Sequence, residues 1–136
     1  STLLKYANRF YERQFINRKA LLNDLLEQFN QQLVNYFDSG QMQDKGIPSI
    51  EQIAERLSVS QRYLSDTLKK ETGKTSTEHL QFFLIDEAKN ILLDPNKTIS
   101  EVAYALGFEY PHYFSRLFKK KEGISPSEYR DKYKLN

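Results

Sequence analysis

With 136 residues, 39% of them hydrophobic and 28% charged, the chain is long enough for one domain with a sizeable core, or for two small lobes sharing a linker. A net charge of only +2 at pH 7 means that bulk charge does not argue for a nucleic-acid partner, so any such argument must be local. The absence of cysteine excludes disulfides, thiolate nucleophiles and thiolate metal sites, which fits a reducing compartment; the longest apolar run, Phe82 to Ile85, falls far short of a membrane span, and Lys5, Arg9, Glu12 and Arg13 interrupt any signal peptide.

Residues 1–38 read as a helical linker segment. Leu22, Leu25, Leu26, Phe29, Leu33, Tyr36 and Phe37 recur at helical spacing, and Leu3, Ala7, Phe10 and Phe15 mark an earlier stretch, which predicts two helices broken near Asn17. Residues 39–48 carry Gly40, Gly46 and Pro48 and read as a flexible linker. From Ile50 onward a pattern begins that recurs from Ile99. Shifted by 49, Ile50, Ile53, Ala54, Leu57 and Val59 fall on Ile99, Val102, Ala103, Leu106 and Phe108. After one extra residue the shift is 50, and Tyr63, Leu64, Ser65, Leu68, Lys69, Lys70 and Gly73 fall on Tyr113, Phe114, Ser115, Phe118, Lys119, Lys120 and Gly123. A solenoid needs at least three copies to bury a continuous core, so two copies predict a bilobed module.

The first lobe, 49–74, opens on a capping box at Ser49 to Gln52 and continues as helices at about 50–57 and 61–72, with Ser60 as N-cap. A bridging helix over 76–93 (bounded by 75–94) starts at a second box, Thr75 to Glu78, and is stopped by Asp94-Pro95; at 1.5 Å per residue it is about 27 Å long. The second lobe, 95–136, repeats the scheme. A box at Thr98 to Glu101 starts a helix at 99–106, Gly107 suits a left-handed turn, and Pro111 suits the first position of a helix at about 111–121. Ser58 stands where that glycine would be in the first copy. A last helix starts at Ser125, with Pro126 in its first turn and Glu128 closing the box. The expected fold is therefore all-α: two helix-turn-helix lobes bridged by a long helix and preceded by a helical linker or hairpin.

Within each lobe Ala54 or Ala103 permits close helix contact. Leu64 and Leu68, or Phe114 and Phe118, then face inward, leaving Gln61, Arg62, Ser65, Asp66 and Lys69 outside in one copy and His112, Ser115, Arg116 and Lys119 in the other. Positions 62, 65, 66 and 69 follow the i, i+3, i+4, i+7 stripe that fits a DNA major groove. Arginine can donate two bonds to guanine, serine or histidine can read an edge, and aspartate can accept from a cytosine amino group. These residues could also form solvated polar faces, but the recurrence of the stripe in two copies favours a binding role.

Gly107-Phe108, Tyr113-Phe114-Ser115-Arg116, Phe118-Lys119-Lys120, Gly123, Ser125-Pro126 and Tyr129-Arg130 closely resemble the C-terminal signature of AraC/XylS-type transcriptional regulators, and the resemblance spans 49–130. It implies a bacterial, cytoplasmic and nucleoid-associated transcription factor that carries two helix-turn-helix lobes in one chain, with 61–72 and 111–121 as recognition helices. Residues 1–48 resemble the helices that in many such regulators follow a ligand-sensing, often cupin-like domain and commonly help dimerise. No strand-rich sensor is present in this stretch, so the chain reads as a C-terminal fragment. In one departure, family members often carry arginine near Leu84 and again at Glu87, so the resemblance does not extend to a phosphate contact from the bridging helix.

Base reading is accordingly expected from Gln61, Arg62, Ser65, Asp66, His112, Ser115 and Arg116, and phosphate contact from Tyr63, Lys69, Lys70, Tyr113, Lys119, Lys120 and Lys121. The lysines could instead be solvated helix ends offsetting the macrodipole, and the two tyrosines could cap the small cores. Tyr129 reads as core, and Arg130 could equally pair with an acid or touch DNA. Leu22, Leu25, Leu26, Phe29, Leu33 and Phe37 either pack against the helix at 3–15 or join two chains. Dimerisation is favoured because an isolated hairpin has little else to bury so wide a face.

The two histidines, His79 and His112, have no partner at metal-ligand spacing, and the sequence offers no nucleophile elbow and no phosphate-cradling glycine loop. Neither an enzyme, a metal nor a cofactor is therefore expected. The partner is double-stranded DNA, with a homodimer through residues 1–38 and a contact with RNA polymerase as further expectations. In the rival reading, the same faces form a helical protein-interaction module docking on the transcription machinery. Exposed aromatics or leucines on the stripe would favour that rival, whereas the Arg, Ser, Asp, His and Lys found there favour DNA.

Overall fold

The computed structural model describes residues 24–134. All regular structure among them is helical: α1 over 24–38, α2 Gln41–Lys45, α3 Ile50–Arg56, α4 Gln61–Thr72, α5 Ser76–Leu92, α6 Ile99–Ala105, α7 Pro111–Glu122 and α8 Pro126–Lys132. The expected all-α, two-lobed architecture is what forms. Helices α3 and α4 make the first helix-turn-helix, α6 and α7 the second, and α5 packs against α4, α6 and α8 between them.

Local signals in the sequence fix these boundaries. At Ser49, Thr75, Thr98 and Ser125 the hydroxyl accepts from the N3 backbone N–H, while the N3 Gln or Glu accepts from the cap's own N–H, so two otherwise unpaired donors are satisfied at each helix start. Ser60 caps α4 by accepting from the Tyr63 N–H. α7 has no side-chain cap at Tyr110, and relies on Pro111, which lacks one of the donors a cap would serve.

The two inter-helix turns share the same pair of closing hydrogen bonds. Val59 and Phe108 N–H donate to the Ala54 and Ala103 carbonyls at 3.1 and 3.0 Å, and Ser58 and Gly107 N–H to those of Glu55 and Tyr104 at 3.0 Å each. This is a Schellman stop, which needs a left-handed residue at its centre. Gly107 supplies it at φ 89°, and Ser58 adopts φ 59° in spite of its side chain.

Buried side chains from both lobes and from α5 join in one core. Ile53, Ala54, Leu64 and Leu68 come from the first lobe, Val102, Ala103, Leu106, Phe114 and Phe118 from the second, and Leu80, Leu84, Ile85, Ala88 and Leu92 from α5.

Two expectations are corrected. The stripe on α1 does not form a free dimerisation face: Leu25, Phe29 and Leu33 are buried within the chain, and Leu26 and Phe37 pack against the same core. Its partner is α5, shown by the edge-on pairs Phe29–His79 and Phe37–Phe83. The long apolar face of the bridging helix offered that burial, which neither sequence alternative considered. Leu22, the break near Asn17 and the helix at 3–15 lie outside the described residues. Nor is 39–48 a flexible linker. It contains α2, whose Met42 is fully buried, and α2 packs on α6 of the second lobe. Among the described residues no helix is long and apolar enough to cross a membrane.

Candidate nucleic-acid interface

Helices α4 and α7 each bury two side chains one turn apart, Leu64 with Leu68 and Phe114 with Phe118, and present the rest outward. On α4 the outermost pair is Arg62 and Asp66, with side chains 91% and 75% exposed. Arg62 Nε lies 3.7 Å from an Asp66 carboxylate oxygen, a solvent-screened i, i+4 pair that holds the guanidinium along the helix at little energetic gain. Gln61, Tyr63, Lys69 and Lys70 are also exposed.

On α7 the corresponding surface is aromatic and cationic. Tyr110, His112 and Tyr113 cluster at the helix start, with ring centroids 4.3–5.8 Å apart, and the Arg116 guanidinium stands 5.9 Å from the Tyr113 ring centroid. With no acid among the described residues paired to it, this guanidinium rests against a π face and keeps its planar donor fork for another acceptor. Lys119, Lys120 and Lys121 follow on the exposed last turn.

Not every predicted residue faces out. Ser65 is half-buried, and its hydroxyl oxygen accepts from the Ser76 hydroxyl at 3.2 Å, so it fastens α4 to the start of α5 rather than standing on the groove-facing edge. Ser115, at the matching position of α7, is likewise half-buried. Both lie about 80° from the centre of the buried face on a wheel of 100° per residue, flanking positions that the i+3 spacing alone mistakes for outer ones. Lys69 donates to the Gly73 carbonyl at 2.9 Å, closing the end of α4, whereas Lys70 makes no such bond.

Other residues hold the reading heads in place. Arg130 Nε donates to the Leu92 carbonyl at 2.8 Å, capping the C-terminus of α5 from α8, a role that neither an acid partner nor DNA anticipated. Tyr129 packs edge-on against Phe118, as a core residue should. Lys89 of α5 pairs with Glu122 of α7 at 2.9 Å, and this carboxylate raises the lysine above its ordinary pKa. At the other end of α5, His79 Nε2 lies 2.8 Å from the Thr72 hydroxyl, which spends its own proton on the Leu68 carbonyl at 2.7 Å, so the imidazole donates. Burial, followed by the nearby Lys74 charge, lowers the His79 pKa. The capping hydrogen bond from the Thr75 backbone lowers that of Glu78, keeping the box ionised.

The exposed tyrosines Tyr104 and Tyr110 were not singled out from sequence; the latter's neighbours, His112 and Tyr113, were the available signal. Among the described residues no group of three or more His, Cys, Asp or Glu side chains could hold a metal ion.

This geometry has relatives. A family model described as a helix-turn-helix domain matches residues 53–132. The HTH-type transcriptional regulator YobQ of Bacillus subtilis, itself named as uncharacterized, is 35% identical over 83 residues, 61% of this chain and 34% of that protein. The C-terminal domain of AraT, a response regulator from Geobacillus stearothermophilus, superposes with a TM-score of 0.69 at 30% identity, covering 82% of this chain and 88% of that one. The C-terminal domain of the two-component response regulator yesN from Fusobacterium nucleatum gives a TM-score of 0.61 at 31% identity, covering 84% and 98%. The chain spans about a third of the length of the curated relatives it matches. With a family match over more than half of its residues and the same paired lobes as these solved domains, the chain belongs to the AraC-type helix-turn-helix family.

Proposed function

We propose that this chain is the sequence-specific DNA-binding module of a transcription regulator working in the cytoplasm, and that α4 and α7 enter successive major grooves of an asymmetric site. The observation that carries the reading is the pairing of one duplicated scaffold with two different outer faces. The lobes share their opening capping boxes and their inter-helix turns, yet Arg62 and Asp66 stand where the second copy has His112 and Arg116. A surface that only needed to be solvated would not require the same scaffold twice, whereas a reader of two different half-sites would.

In this mechanism Arg116 donates both arms of its fork to a guanine edge, and His112 reads a neighbouring base. Arg62 acts with Asp66, whose carboxylate accepts from a cytosine amino group or holds the arginine in line; away from such a base it repels phosphate. Gln61 completes the first reading head. Lys70, Lys119, Lys120 and Lys121, with the hydroxyls of Tyr63 and Tyr113 at the first turns, neutralise or donate to phosphates. Ser65 and Ser115 serve here as supports of the helix rather than as base readers.

Selection of bound duplexes from a random library, followed by mobility shifts across a salt series, tests this reading. An asymmetric consensus with two segments about one helical turn apart is expected, with binding that falls steeply as salt rises. Failure to retard any duplex at low salt, with the helical circular-dichroism signal intact, would overturn it.

A further inference from the structure

The two Schellman turns invite comparison because only one of them requires glycine for a reason beyond its φ. Ser58 shows that a Cβ is tolerated at this turn position, and its side chain is exposed. At Gly107 a Cβ would stand 2.8 Å from the Met42 carbonyl oxygen, 2.9 Å from the Ile47 nitrogen and 3.0 Å from the Gly46 carbonyl carbon, all of them backbone atoms. The stretch from α2 to Pro48 is thus laid directly on the turn of the second lobe, although in sequence it leads into the first. It is also fastened to the first lobe: Arg56 of α3 donates to the Gln41 side-chain oxygen at 3.1 Å, and its guanidinium lies 5.0 Å from the Tyr36 ring centroid. Buried Met42 and Pro48 anchor it between these contacts.

We propose that residues 36–48 form a brace spanning both lobes, with Gly107 as the positioning residue that admits it, and that this brace sets the separation and orientation of the two reading heads. The bridging helix alone joins the lobes along one line, about which they can twist and bend. A second connection, offset from that helix, removes this freedom, so the brace determines which spacing between two DNA half-sites is accepted. The consequence for spacing rests on the DNA-binding reading above; the mechanical claim does not.

The mechanical arm uses the absence of native cysteine. Spin labels on Glu71→Cys in α4 and Ser127→Cys in α8, both exposed positions, report the inter-lobe distance in the full chain without DNA. The parent should give a narrow distribution. Gly107→Ala should broaden or displace it, as should Arg56→Ala, which truncates an exposed side chain without touching the backbone and guards against a folding failure in the first variant. Gly123→Ala controls for backbone strain. That residue has φ 84° but nothing within 4 Å of an added Cβ, so its distribution should match the parent's. Parent-like distributions in both Gly107→Ala and Arg56→Ala overturn the brace.

In the second arm, one or two base pairs are inserted between the two segments of the selected duplex. The parent should lose about tenfold or more per insertion, the size of a single-pair mismatch. Both brace variants should bind the parental spacing more weakly while discriminating less among spacings. Undiminished discrimination in variants whose distance distribution has broadened overturns the role in spacing. If the parent retards no duplex, the DNA reading fails, and the spin-label result still decides the brace.

Discussion

The first lobe is aliphatic and charge-paired, whereas the second is aromatic and cationic. Leu64 and Leu68 fill one small core and Phe114 and Phe118 the other, where they pack edge-on or tilted against Tyr129 and Phe108. Outside, Arg62 is engaged by Asp66, while Arg116 rests on Tyr113 with no acid paired to it among the described residues. The same backbone therefore carries one head whose cation is partly neutralised and one whose cation is poised on a rigid ring. On the DNA-binding reading, phosphate neutralisation by the more cationic second head should give most of the affinity, leaving the first to discriminate.

The sharpest way to break this contrast is through the cores. Phe118→Ala should cost about 3–5 kcal/mol of unfolding free energy and Leu68→Ala about 2–5, and both should unfold in one transition, because the buried side chains of both lobes and α5 form a single cluster. Separate transitions in denaturant would show the lobes to be independent. Next comes binding. Arg116→Ala is expected to lose about 1–3 kcal/mol on the selected duplex and to relax one base position, while Asp66→Asn should lose less there and gain on random DNA. Equal losses on selected and random DNA for Arg116→Ala would assign that arginine to phosphate instead.

Helix caps sharpen the contrast further. Ser60→Ala should destabilise by about 1 kcal/mol because the Tyr63 N–H loses its acceptor, whereas Tyr110→Ala should leave the capping of α7 unchanged, no side-chain bond being present to lose. Thermal melts of the pair would test this. At Ser58, replacement by glycine should stabilise by about 0.5 kcal/mol, the relief of a left-handed side chain less the extra unfolded-chain entropy.

The smallest effect is that of pH. Burial holds the His79 pKa below its ordinary 6.5, so the folded state binds fewer protons there than the unfolded one. The stability that follows is present above pH 6.5 and declines as pH falls towards the folded value. Glu87 runs the other way: burial, with Asp86 and Asp38 nearby, raises its pKa, so its contribution is lost as pH rises through the folded value. His79→Gln should flatten the slope of stability as pH falls below 6.5, as followed by denaturant midpoints.

Helix boundaries were legible because the groups that stop and start helices are neighbours in sequence. A hydroxyl three residues before a Glu or Gln, a proline at the first turn and a glycine at the last each act within one turn of chain, and every capping box predicted has formed. The outer faces were legible for Arg62, Asp66 and Arg116, which sit opposite the buried pair, and misread at Ser65, which sits beside it. Arg130 could not be placed from sequence at all. Its acceptor is a carbonyl 38 residues away, and nothing about an arginine near a chain end indicates which backbone oxygen will be left unpaired.

Sequence by itself determined the duplicated lobes, their caps, their turns and the polar character of their outer helices, since each follows from contacts within a few residues. Only the tertiary structure decided where the apolar stripe of α1 is buried, why Met42 is inside, and why the second turn has glycine where the first accepts serine. Those outcomes depend on which distant surface meets them. An apolar face states that it must be covered; the packing of the whole chain selects what covers it.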